Sequence, residues 1–186
     1  MVSKVRSPAL RLQIVLRAVG VCLAATLPLS DSVFAQTAAG AQNAASAQLQ
    51  VSGDVKTPLT LSLTEIKAMR HIRVDVQTED GRTVMYDGVP VTELLTRAGA
   101  TLGNALRGAA LTTYVVASAS DGYQVVFSLA ELDDGLTAIQ IIIADAAGGQ
   151  PLAATQGPLR LVAPKDSKPA RSVRMLQRLE VVRIKK

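Results

Sequence analysis

Three residue types that carry much of protein chemistry are almost missing from this chain. Among 186 residues there is one cysteine, one histidine and no tryptophan, with only three tyrosines and two phenylalanines. The cysteine, Cys22, lies in an apolar amino-terminal stretch. Once that stretch is read as a leader, thiol catalysis, thiolate-held metals and disulfides are all excluded. The single histidine, His71, cannot build a multi-histidine metal centre. No G-x-S-x-G elbow, G-x-G-x-x-G fingerprint or P-loop occurs. With so few aromatic rings there is little on which bases could stack, and nucleic acid is set aside as a partner.

The leader reading rests on three features. Lys4, Arg6 and Arg11 make a basic start, Ile14 to Leu29 is mostly apolar, and Val33-Phe34-Ala35 before Gln36 has the small-residue spacing of a signal-peptidase site. As a membrane anchor the apolar run is short, and Arg17 interrupts it near its start. Val21 before Cys22 is the wrong residue for a lipoprotein site. The expectation is export to the periplasm or beyond, cleavage after Ala35, and no stable membrane insertion afterwards. That leaves 151 residues, one domain in size, able to bury about two thirds of the unfolded surface without a staple. Lys4, Arg6, Arg11 and Arg17 against Asp31 account for +3 of the formal +5, so the exported part keeps only +2.

Residues 36–47 are a low-complexity spacer of small residues, read as disordered. From residue 48 to 186 the patterning is that of one mixed α+β domain, mostly β. Leu49 to Val55 alternates and turns at Gly53-Asp54; Ile72 to Thr78 alternates and turns through Glu79-Asp80-Gly81 into Arg82–Tyr86. Ser62 with Glu65, and Ser128 with Glu131, have capping-box spacing for two short helices. A third helix is expected after Pro90, with Gly99 as its stop. Leu111–Ser120 and Tyr123–Ser128 read as strands joined at Asp121-Gly122, Ala138–Ala144 as a buried central strand, and Leu176–Ile184 as the last strand.

One stretch stands out chemically: "GPLRLVAPKDSKPARSVRML", residues 157–176. Leu159, Leu161 and Val162 around Arg160 make a buried strand that breaks at Pro164; Lys165, Lys168 and Arg171 follow on a loop before apolar alternation resumes at Val173. Forked guanidinium donors, a hydroxyl and close backbone are what a phosphate needs. The alternative is a solvated charged edge. Ser172 and Arg174 share a strand parity that excludes Arg171, so Arg171 can join them only from the loop. His71, at a helix end, and Asp121 and Tyr123, at a turn, are candidate pocket residues whose ordinary roles are a helix-terminus interaction and a tight turn. Asp133-Asp134 reads as a solvated helix end.

The order of the pieces carries more than any single one. "VSGDV", "LSLTEI", "DGRTVMYDGVPVTELL", "SDGYQVVFSLAEL", "GQPL" and the 157–176 stretch, taken together, resemble the sulfite-oxidase-like molybdopterin-binding domain over Leu49 to Ile184. The most specific part is the strand from Gly157 to Pro164 and the basic segment after it, matched at Gly157, Pro158, Arg160, Pro164, Arg171, Ser172 and Arg174. The resemblance implies that Arg160, Lys168, Arg171, Ser172 and Arg174 help hold a molybdopterin and its phosphate. It also implies a cysteine ligand to molybdenum on the strand near Val76, where this chain has Asp75-Val76-Gln77-Thr78, and a histidine just before the strand that starts at Gly157, where it has Gln156. The resemblance further implies, in larger members, extra regions that build substrate pockets, which these 186 residues are not expected to include. Two functions follow. One is an exported redox protein, or a component of one working with a redox partner, with molybdopterin but without the thiolate. The other is a non-catalytic module that keeps an anion pocket for a small anionic ligand or a partner protein.

Overall fold

Alternation of apolar and polar residues builds the strands. In β1 (Gln48–Gly53), Leu49 and Val51 are fully buried while Gln48 and Gln50 face outward. The structure, a computed structural model, describes residues 47–184. The leader 1–35 and, Ala47 apart, the spacer lie outside the described residues.

After β1 come β2 (Leu59–Ser62), α1 (Leu63–Ala68), β3 (Ile72–Gln77), β4 (Thr83–Pro90), α2 (Val91–Ala98), β5 (Thr113–Ala119) and β6 (Gln124–Ser128). The chain ends through β7 (Ile142–Ala147), β8 (Gln150–Pro151), β9 (Arg160–Val162) and β10 (Leu176–Arg183). One sheet has the order β2-β1-β10-β5-β6. Its β1·β10 pair is parallel, with Gln50 opposite Arg178 and Gly53 opposite Val181, so both ends of the described chain share one sheet. The other sheet runs β3-β4-β7, and both β8 and β9 pair with β7.

The main core joins inward residues of both sheets (Leu49, Val115 and Leu179 from the first, Val89, Ile143 and Leu161 from the second) to Ile66 of α1 and Leu94 and Leu95 of α2. The opposite face of the second sheet carries a smaller apolar cluster of Tyr86, Ile142, Ala144 and Val162, with Val74, Val76 and Leu152 packed against it. Arg160 pairs with Ala144 and lies two residues before Val162, so strand parity sets its side chain on this second face. Here β4 and β7 approach so closely that a Cβ on Gly88 would overlap the Ile143 carbonyl oxygen, and the register slips between Asp87 and Gly88. Only glycine permits that approach.

Four local expectations change. Ser128 and Glu131 do form a capping box, but it closes a single 3₁₀ turn, Leu129–Leu132, because Asp133 leaves the helical path at once. Asp133 is not a solvated helix end: it is 3% exposed, and its carboxylate accepts from the Gly103 and Gly135 amides. Buried carboxylates need such donors, and here they tie two loops together. The central strand begins at Ile142 rather than Ala138, and β5 begins at Thr113 after a 3₁₀ segment, Gly108–Thr112.

Candidate anion-binding site

The cation-rich stretch folds back on itself. Leu161 N–H donates to the Val173 carbonyl (2.8 Å), Leu176 N–H to Leu159 (2.9 Å) and Met175 N–H to Gln156 (2.9 Å), so residues before and after the loop hold each other like the arms of a clasp. Ser172 Oγ accepts from Ala163 N–H at 3.2 Å, which closes the base of the loop and leaves the hydroxyl proton free to donate. Pro169–Arg171 forms a 3₁₀ turn, and Met175, with φ 49°, is the one described non-glycine residue in the left-handed region.

Arg160 is half-buried and held in place. Its Nη1 donates to Gln156 Oε1 (2.7 Å) and to the Tyr86 hydroxyl (3.0 Å), and the guanidinium lies 5.2 Å from the centre of the Tyr86 ring. Its Nε is buried and finds no partner among the described residues. A buried charged N–H without an acceptor is costly unless a water or ligand meets it. Arg160 lies in a cleft of about 600 Å³ whose walls also include Gln156, Lys168, Ser172, Arg174, Asp121, Tyr123 and Glu79. Tyr123, 48% exposed, stands at this cleft and its hydroxyl donates to the Ala170 carbonyl (2.6 Å), linking the Asp121-Gly122 turn to the loop.

Six of the eight candidate residues therefore meet at one cleft: Arg160, Lys168, Ser172, Arg174, Asp121 and Tyr123. Two do not line it. Arg171 turns to its own acids: Nε and Nη2 donate to the Asp166 carboxylate (2.8 and 2.7 Å) and Nη1 to Glu131 (2.8 Å), over the Phe127 ring. The Asp166 hydrogen bonds, then those of Glu131, push the Arg171 pKa further up. His71 sits elsewhere, its Nδ1 against the Met69 carbonyl at the end of α1 (2.9 Å) and its Nε2 3.4 Å from Asp145. Sequence reasoning missed Glu79 as a wall of the cleft, Tyr86 as a partner of Arg160 and Glu131 as a partner of Arg171. Nothing local marks them, since the contacts span 74 and 40 residues.

Glu131 gives a pH signature. Burial opposes its ionisation, but the Arg171 hydrogen bond and the Ser128 backbone and hydroxyl outweigh it, holding its pKa below the ordinary 4.5. A depressed folded-state pKa stabilises the fold fully above the unfolded value and loses that contribution as pH falls through the folded one. Glu131→Gln should therefore be less stable than the parent at neutral pH, and the gap should shrink as pH drops below about 4.5. Urea midpoints measured across that range check it.

A molybdopterin with its metal makes two separate demands. The phosphate end fits: Arg160, Lys168, Arg174, Ser172 and Gln156 line one cleft, where three cations outnumber the carboxylates of Glu79 and Asp121. The metal end does not. Val76 packs in the apolar cluster, Asp75 and Gln77 point to solvent, and Thr78 is used up closing the hairpin onto the Arg82 carbonyl. Among the described residues no group of three or more His, Cys, Asp or Glu is placed to hold a metal ion. A soft metal would find no thiolate here.

The chain is a mixed, mostly β domain of two sheets with a cleft lined by Arg160, Lys168 and Arg174. The model of the family described as oxidoreductase molybdopterin binding domain matches residues 36–186, and the chain belongs to that family. No curated protein matches it. The crystal structure of the sulfane dehydrogenase SoxCD from Paracoccus pantotrophus is similar, with a TM-score of 0.60 at 18% identity, covering 74% of this chain and 38% of that one. The likeness is one of fold, mixed and mostly β, and this chain spans well under half the length of that relative.

Proposed function

We propose that this chain is an exported domain that holds molybdopterin, or another phosphate-bearing anion, in the cleft around Arg160, without a protein thiolate on any metal. The observation behind this reading is the convergence of Arg160, Lys168, Arg174 and Ser172 on one cleft, with Arg160 Nε buried and unpartnered among the described residues. Arg160 is pre-oriented by Gln156 and Tyr86, so an anion meets a donor that is already in place. When bound, molybdopterin supplies the redox chemistry through the metal it carries; the chain's own residues hold its phosphate. With Asp75-Val76-Gln77-Thr78 where the resemblance implies a thiolate, this reading favours a ligand-holding module over a complete oxidoreductase, and a redox partner becomes necessary only if metal is retained.

Pterin fluorescence of the denatured, purified protein tests the reading: near-stoichiometric pterin supports it, and absence of both pterin and phosphate binding overturns it. Export belongs to the same proposal. Intact-mass measurement of the exported fraction should give a chain beginning at Gln36, and a chain that keeps residues 1–35 overturns the periplasmic or secreted location.

A further inference from the structure

Arg171 carries a cation into the loop but does not offer it to the cleft. All three of its nitrogens are occupied, in a two-pronged bond to Asp166 within the loop and a single bond to Glu131 on the 3₁₀ turn after β6. The guanidinium also lies 4.9 Å from the Phe127 ring centre, and Phe127 is fully buried in the main core. One side chain thus joins the loop to itself, to a neighbouring turn and to the core. Its neighbours on both sides belong to the cleft wall: Lys168, Pro169 and Ala170 before it, Ser172 after it. A second tie, from the Tyr123 hydroxyl to the Ala170 carbonyl, holds the same segment from the turn before β6.

We propose that Arg171 is a positioning residue for the anion cleft: its forked bonds lock the Pro164–Ser172 loop so that Lys168 and Ser172 face the ligand before it arrives. This rests on the reading of the cleft as an anion site. A loop free to open would present Lys168 and Ser172 only part of the time, and apparent affinity falls with the fraction of competent molecules. The planar fork matters here, because a lysine keeps the charge but cannot hold Asp166 at two points and Glu131 at a third.

Arg171→Lys is therefore the discriminating variant, since it leaves the net charge near the cleft unchanged. Binding of inorganic pyrophosphate by calorimetry should weaken about tenfold in R171K, as expected if the competent loop population drops to about a tenth. The salt dependence of binding, set by charges that face the ligand, should stay as in the parent, whereas Lys168→Gln should flatten it. Hydrogen exchange over residues 164–172 should speed up in R171K by more than any fall in global stability accounts for. Parent-like affinity and exchange in R171K would overturn the proposal. So would weaker binding with a flattened salt dependence, which would make Arg171 a direct ligand. Failure of the parent to bind pyrophosphate would instead remove the anion reading, while loop exchange in R171K still judges the latch by itself.

Discussion

Protein purified from a molybdenum-replete host should carry well under one molybdenum atom per chain, by elemental analysis set against protein concentration. The expectation comes from the β3–β4 hairpin. A strand residue that ligates metal has to point into the cleft with a soft, ionised donor. Val76 points instead into the apolar cluster beneath Tyr86, and the Thr78 hydroxyl donates to the Arg82 carbonyl. The residue of this turn that does reach the cleft is Glu79, whose carboxylate is a hard donor. Pterin without stoichiometric molybdenum would agree with a retained cleft that lacks the metal's protein ligand. One molybdenum per chain would show that the pterin alone suffices to hold it, and the ligand-holding reading would give way to that of an oxidoreductase.

Replacing Arg160 by glutamine should weaken binding of a phosphate-bearing ligand by roughly 100-fold. Two charged hydrogen bonds at the low end of their usual range are worth about 3 kcal/mol, and every 1.4 kcal/mol is a factor of ten. The same change should also lower stability by about 1 kcal/mol, because Gln156 Oε1 and the Tyr86 hydroxyl lose a buried partner. Lys168→Gln provides the contrast. Lys168 is exposed on the loop, so stability should stay within about 0.5 kcal/mol of the parent while binding weakens less. Calorimetry with a pterin phosphate or pyrophosphate, alongside urea unfolding, separates the two effects. If R160Q binds like the parent, the cations around residues 160–174 are a solvated edge.

Most strands and both capping boxes were legible from local pattern; the short β2 and β8 were not. Ser62–Glu65 and Ser128–Glu131 are chemistry within four residues, and the alternation of β3 and β10 needs no tertiary information. What failed locally failed for tertiary reasons. Asp133 reads as a surface acid until Gly103, thirty residues away, donates to it. The second capping box stops after one turn because the chain there is drawn toward that buried carboxylate and not along a helix axis.

The cation cluster shows the same division. By itself the sequence determined that Arg160 sits on a strand, that Pro164 ends it, and that Lys168, Arg171 and Ser172 follow on a loop, since alternation and proline act over neighbouring residues. It also determined that no thiolate is present beyond Cys22. Only the tertiary structure decided which cations share a space. Glu131 and Asp166 claim Arg171, whereas Tyr86 and Gln156 leave Arg160 with an N–H to spare. A charge's role depends on which partner reaches it first, and those partners come from strands and turns far apart in the chain and close only in the fold.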